Sequence, residues 1–464
     1  MKGKTIEKLL IEDIADDGRS LAKYNGLVIF VDKAMPGDLV DVVVTKKHSS
    51  FLEGKVTHLH ESSNFRTEAF CKHFGICGGC KWQNMQYAAQ LFYKQKHVAD
   101  TMQRIGKIGN IEVLPIIPSA QLKFYRNKLD YSFSDKKWLS REQYEDLEAN
   151  KGPALGYHIS GRFDQVLDIE ECFLQPSPSD AIRNAVKSYA LKNKLTFINL
   201  RNKSGLLRTL IIRQTLKGEL MVIVMVYENN AEQLNGLLEF LAESFPSIDS
   251  LLYIINAKAN DTFHDQQVHL FKGKDHIIEN MEGLQFRIGP KSFFQTNPAQ
   301  TLNLYQLARD FAGLTGNEVV YDLYTGTGTI ANFVARQAKQ VIGIDFVTDA
   351  IEDAKINSSL NNINNTSFFA GDMKDLLTAA FFAIHGKPDV IITDPPRAGM
   401  HPDVVEQLCK SETEKIVYIS CNPGTQARDI QLLSSNYEVV KLQPVDMFPH
   451  TAHVENIALL VRKK

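Results

Sequence analysis

Short apolar runs of period two, separated by turn signals, fill the first sixty residues. Residues 26–31, 39–44 and 54–58 each read as a strand, punctuated by Asp16-Asp17-Gly18, Tyr24-Asn25-Gly26 and Met35-Pro36-Gly37-Asp38. Strands this short and closely spaced predict a small OB-like β-barrel over residues 1–62. A helical period then predicts a helix over 87–105. Residues 206–215 and 220–227, joined across Leu216-Lys217-Gly218-Glu219, predict a hairpin, and 231–245 a helix, within a sheet-rich platform from 152 to 289. In the last third strand and helix alternate, as in an α/β domain. Residues 319–323 form a strand that runs into the turn Thr325-Gly326-Thr327-Gly328-Thr329 and a helix, 341–345 form a second strand, and 416–420 are apolar and β-branched up to Cys421-Asn422-Pro423. The expected chain is therefore a multidomain one: barrel 1–62, central α+β domain 63–285, and a Rossmann-like α/β domain 286–464.

The 464 residues are 44% hydrophobic and 23% charged, ordinary for a globular protein. No run approaches the roughly 18 to 20 apolar residues of a membrane span. Met1 to Lys8 has charge but no apolar core after it. A cytoplasmic protein without a membrane partner is expected, a monomer by default. The net charge of −2 announces no nucleic acid. Locally the picture changes: Lys81, Trp82, Tyr87, Phe92, Tyr93, Lys94, Lys96, His97, Arg104 and Lys107, then Lys123, Phe124, Tyr125, Arg126 and Lys128, interleave cations with rings. Such a surface suits looped RNA, with cations for phosphates and rings for unstacked bases. A solvated helix would carry the same lysines. The barrel, where acids stand beside lysines, fits a stabilising module as well as an RNA-binding one.

Cysteine placement adds chemistry. Cys71, Cys77 and Cys80 have C-x5-C-x2-C spacing around Gly78-Gly79, and Cys172 is the obvious fourth ligand. Thiolates so spaced bind Zn²⁺ or an iron–sulfur cluster, and the spacing does not choose between them. Beside the glycine turn, four strand ends in the last third carry polar or reactive groups: Asp345, Asp372, Asp394 and Cys421. Ligands of open α/β sheets sit at that edge. An acid like Asp345 is placed to hold a ribose, whereas NAD would prefer a glycine where Ala331 stands.

Phe293-Phe294-Gln295-Thr296-Asn297, Leu323 to Thr329, Asp394-Pro395-Pro396-Arg397-Ala398-Gly399, Ser420-Cys421-Asn422-Pro423 and Asp446 to Glu455 together make the chain resemble the RNA 5-methyluridine methyltransferase family from end to end. The resemblance implies that the barrel is a TRAM domain, that the last domain is a methyltransferase using S-adenosylmethionine (SAM), and that Cys71, Cys77, Cys80 and Cys172 ligate a [4Fe-4S] cluster. It implies Cys421 as nucleophile, Glu455 as base, Gln295, Tyr324 and Asp345 as SAM-binding, Asp394 as touching substrate and SAM, and Asp372 as reaching the adenine edge. The barrel and cysteines point to the members acting on 23S ribosomal RNA. The family commonly has Glu where this chain has Asp345, and Asn in the turn where Thr327 and Thr329 stand. Rival expectations are the same chemistry on a transfer-RNA uridine, a non-catalytic iron–sulfur RNA-binding factor, and an NAD-dependent oxidoreductase; SAM binding separates the first from the others.

Overall fold

The computed structural model describes residues 2–109, 111–146, 151–159 and 164–464. At the start of the chain, alternation decides the outcome: Val40, Val42 and Val44 are buried while Leu39, Asp41 and Val43 between them are not. Six strands pair in the order Thr5–Leu10, Leu39–Lys47, Phe51–Glu61, Leu27–Asp32, Ser20–Tyr24 and Asp13–Ile14 around a core that includes Ile6, Ile29, Val31 and Leu52. Gly54 lies where a Cβ would stand 2.3 Å from Val42 Cγ1, so the inward position on that strand excludes any side chain.

A seven-stranded mixed sheet follows in the order Val268–Gly273, Ser250–Ile255, Leu220–Val226, Leu207–Gln214, Lys128–Ser134, Ala154–His158 and Val166–Asp168. The expected hairpin is there, Leu207–Gln214 antiparallel to Leu220–Val226. All seven residues of Leu220–Val226 are buried because the sheet is covered on both faces. Val222, Val224 and Val226 meet the helices Ser179–Lys192 and Ala231–Ser244, the latter through Leu234, Leu237, Leu238 and Leu241. Met221, Ile223 and Met225 pack into one core with Phe286, Leu304, Val334 and Val417 of the last third. Burying those alternate side chains joins platform and α/β sheet through a common apolar layer.

The last sheet has the order Thr366–Ala370, Gln340–Asp345, Val319–Leu323, Val390–Thr393, Lys415–Ser420, Glu455–Arg462 and Tyr437–Val445. The first five strands are parallel; Glu455–Arg462 runs antiparallel to both of its neighbours. Strand order reverses at Val319–Leu323, which pairs with Gln340–Asp345 on one side and Val390–Thr393 on the other. This switch opens a crevice beyond the carboxyl ends of the strands. No helix among the described residues is long and apolar enough to cross a membrane.

The helix Tyr87–Arg104 corrects one expectation. Lys94, read as part of a basic face, is fully buried, and Lys96 pairs with Asp13 and Asp100, each at 2.6 Å. Tyr87 donates to Asp446 Oδ2 at 2.8 Å. Much of that helix's charge is therefore structural, whereas Lys123 is exposed and Arg126 partly so.

Candidate active site

The glycine turn is built by an acid that the strand carries inward. Asp322 is wholly buried; its Oδ2 accepts from Thr325 Oγ1 at 2.5 Å and from Ala331 N at 2.9 Å, and its Oδ1 has no partner. Burial pushes its carboxyl up to about 7. Tyr324 then takes φ 61°, a left-handed conformation costly for a bulky residue, which turns the chain out of the sheet. At Gly328, φ is 73° and a Cβ would lie 2.8 Å from Ala354 Cβ, so only glycine lets the Thr329–Ala335 helix start here. Asp345 closes the other side: its Oδ2 accepts from Gly326 N and its Oδ1 from Val347 N, both at 2.9 Å. The buried orphan oxygen of Asp322 and the cradle between Tyr324 and Asp345 give a polar, preorganised seat beside the switch point, which fits the charged amino-acid and ribose parts of SAM. Asp372 lies at the rim, exposed, capping the short turn Met373–Leu376 and paired with Lys374 at 3.3 Å.

Cys421 follows the last residue of the Lys415–Ser420 strand and is half-buried. Asn422 caps the Pro423–Leu433 helix by accepting from Gly424 N at 3.0 Å and donates through Nδ2 to Arg397 O at 3.1 Å, so the thiol's turn and the Asp394 loop are fastened together. Asp394 sits next to Thr393, the end of the adjacent strand, and accepts from Gln295 Nε2 at 3.4 Å. Glu455, at the start of the other neighbouring strand, is 3% exposed. These groups act on one another. Burial, then the charges of Glu455 and Asp394, push the Cys421 thiol up to about 12, with Arg397 opposing. Burial and then Asp394 raise Glu455 to about 8, again against Arg397, and burial raises Asp394 to about 7. Two carboxyls poised near neutrality beside a thiol and one cation make a site for moving protons and adding a nucleophile.

Arg397, Asp322 and His453 belong to this site although no role was read for them from the sequence. Arg397 Nη1 donates to His453 Nδ1 at 3.3 Å, and burial followed by Arg397 lowers His453 to about 4, so the imidazole accepts as the neutral form. Arg126, 5.3 Å over the Phe448 ring, and Lys81 add to the positive field on His453. Lys123 lies 4.1 Å over Phe70 and 5.2 Å over Phe173, extending the cation-and-ring wall toward the cysteines.

The cysteines gather on one side of the central sheet. Cys77, Cys80 and Cys172 pack at the edge of its core, and Cys71, Cys77 and Cys172 all bear on Cys80. Burial and these neighbours push Cys77 up to about 11 and Cys80 to about 12, a cost that a cation among the sulfurs would reverse. Among the described residues, no three His, Cys, Asp or Glu side chains close on a point where one metal ion would sit. A four-iron cluster holds its ligand sulfurs farther apart than a single ion does.

Comparison with known proteins decides the family. The profile of the tRNA (uracil-5-)-methyltransferase family matches residues 212–463, and that of the TRAM domain residues 1–57. The chain belongs to the tRNA (uracil-5-)-methyltransferase family. An uncharacterized RNA methyltransferase of Bacteroides thetaiotaomicron is 56% identical over 96% of this chain and 99% of its own length. Another such methyltransferase, of Clostridium tetani, is 36% identical over 100% of this chain and 98% of the relative. Among solved structures, the tRNA (uracil-54, C5)-methyltransferase of Pyrococcus abyssi in complex with S-adenosyl-L-homocysteine is similar at TM-score 0.75 and 26% identity, covering 98% of this chain and 100% of that one. The protein is thus a SAM-dependent RNA methyltransferase of the uracil-C5 family with an N-terminal TRAM domain. Membership also answers the NAD and binding-factor rivals.

Proposed function

We propose that the protein methylates carbon 5 of a specific uridine in 23S ribosomal RNA through a covalent adduct on Cys421. The observation that carries this reading is the convergence of a strand-end thiol, two buried carboxyls near neutrality and one cation at one edge of the α/β sheet. Carbon 5 of uracil is a weak nucleophile. Addition of the Cys421 thiolate to carbon 6 moves an electron pair toward carbon 5 and the ring oxygen, and carbon 5 then attacks the methyl group of SAM, whose methyl–sulfur bond breaks to release S-adenosyl-L-homocysteine. Arg397, the cation facing the thiol, favours its ionised form. Glu455 next takes the carbon 5 proton; that electron pair becomes the 5,6 double bond, and the carbon–sulfur bond breaks to release Cys421 as thiolate. Gln295, Tyr324 and Asp345 hold SAM, Asp394 lies between SAM and the base, and Asp372 faces the adenine edge. Cys71, Cys77, Cys80 and Cys172 ligate a [4Fe-4S] cluster whose role is structural.

A transfer-RNA uridine is the second reading. The Pyrococcus abyssi enzyme aligns with 98% of this chain, so barrel and cysteine segment alike have counterparts in a protein named for a tRNA position. Incubating the protein with methyl-labelled SAM and unmodified ribosomal or transfer RNA, then digesting to nucleosides, separates the two. Labelled 5-methyluridine from the ribosomal sample alone supports the first reading, and label in transfer RNA alone replaces it with the second. With Cys421→Ala the label disappears while SAM still binds; undiminished turnover by that variant would remove Cys421 from the mechanism.

A further inference from the structure

The segment between the last two strands carries the deepest ion pair of the crevice region. Val445 and Glu455 are paired across the antiparallel strands, so residues 446–454 form a loop whose feet are set side by side, with Glu455 as one foot. Next to the other foot stands Asp446. Its Oδ1 accepts from Lys94 Nζ at 2.6 Å, and both side chains are completely shielded from solvent. Its Oδ2 accepts from the Tyr87 hydroxyl at 2.8 Å, and the same hydroxyl accepts from Ser119 N at 2.7 Å. Lys94 Nζ also donates to Phe448 O at 3.0 Å. Phe448 O accepts from Thr451 Oγ1 at 2.8 Å, and Thr451 Oγ1 accepts from His453 N at 3.2 Å. His453 then meets Arg397, the cation that faces both Cys421 and Glu455. Gln90, one helical turn from Lys94, accepts from His450 N at 2.9 Å through its Oε1, where the backbone is left-handed at φ 65°.

A salt bridge this deep is a poor source of stability, because desolvating both ions offsets most of their attraction. It is a good source of geometry: the carboxylate must take one position to meet Lys94, Tyr87 and Phe448 N together. We infer that Lys94, Tyr87 and Asp446 are positioning residues that hold the 446–454 loop, and with it Glu455 and the Arg397–His453 contact, in register for removal of the carbon 5 proton. This rests on the proposed role of Glu455. The pair acts on the last step: the Glu455 carboxylate takes the proton, the electron pair forms the double bond, and Cys421 leaves. Thiol addition and methyl transfer precede that step, and an effect on addition through Arg397 would lower adduct and product together, leaving their ratio unchanged.

The test compares Lys94→Met/Asp446→Asn, which removes both buried charges, Tyr87→Phe, which removes one hydrogen bond, and Glu455→Gln. Each is incubated with SAM and in-vitro-transcribed ribosomal and transfer RNA containing ordinary uridine. The readout is the ratio of covalent protein–RNA adduct to released methylated RNA, with SAM affinity measured alongside. A variant that merely folds less well lowers both species together and leaves their ratio unchanged. The expected result is a ratio raised about tenfold in the double variant and less in Tyr87→Phe, in the direction of Glu455→Gln, with SAM affinity unaltered. Accumulation in Glu455→Gln without it in the double variant would overturn the positioning role alone. Accumulation in neither would overturn the Glu455 reading and the positioning role with it.

Discussion

Glu455 and Asp322 each hold a carboxyl in a place where its charge is unwelcome. Burial raises them from ordinary carboxylate values of 4.5 and 3.8 to about 8 and about 7. Each therefore binds its proton more tightly folded than unfolded. Between the unfolded values and pH 7 to 8 the native state holds more protons than the unfolded chain, so stability falls as pH rises through that window. Glu455→Gln removes one of these groups and is expected to flatten the decline by on the order of a few kcal/mol between pH 5 and 8.5, read from urea melts at both pH values. An unchanged slope would mean that Glu455 does not titrate as its burial requires. The same group should make product release rise with pH toward about 8, as the base loses its proton. At this scale the residue types at the strand ends were legible: Cys421, Asp394, Asp345 and the glycine turn stand where the apolar runs stop. Lys94, Asp322 and Arg397 were not, because burial and mutual charge come from segments distant in sequence. Lys94 and Asp446 are separated by 352 positions.

Elements with strong local periodicity were the easiest to read. The hairpin, the helix Ala231–Ser244 and the strand Lys415–Ser420 lie within a residue or two of where alternation and turn residues put them. The strands Ile277–Met281 and Tyr437–Val445 were missed. Charged residues interrupt them; Ile277–Met281 is held by pairing with Leu284–Ile288 and packing on the shared core, and Tyr437–Val445 by pairing with Glu455–Arg462. The helix Tyr87–Arg104 was placed well, but Tyr87, Gln90 and Lys94, on its polar side, contact the 446–454 loop. The cysteine segment is tied to that loop as well: Lys81 N and Trp82 N, directly after Cys80, both donate to His450 O, at 2.9 and 3.0 Å. Cys77→Ser is therefore expected to lower iron content and visible absorbance in anaerobically purified protein and to weaken RNA binding. SAM affinity should not change, since the SAM cradle lies on other strands. Full iron retention would contradict the ligand set.

Among the described residues, three large sheets and a two-stranded one are tied to one another. The central sheet shares a core with the α/β sheet, Trp82 Nε1 donates to Gly18 O of the barrel at 3.2 Å, and the cation-and-ring wall of Lys123, Phe70, Phe173 and Arg126 leads from the cysteines to the crevice. On the proposed mechanism a uridine leaves its stack to reach Cys421, and we propose that this wall holds the opened RNA. The order of domains was readable from changes of period along the chain, whereas their mutual burial was not: it depends on the second face of the Leu220–Val226 strand, whose continuous apolar run says only that both faces are covered. The most direct test of the account is to offer the protein SAM and ribosomal RNA in which uridine is replaced by 5-fluorouridine. Fluorine cannot be removed as a proton, so the reaction stalls after methyl transfer with the RNA still bonded to sulfur. The expected result is a denaturation-resistant protein–RNA adduct that requires SAM, maps to Cys421 and is absent from Cys421→Ala. No adduct while SAM and RNA are both bound, or an undiminished adduct in Cys421→Ala, would contradict it.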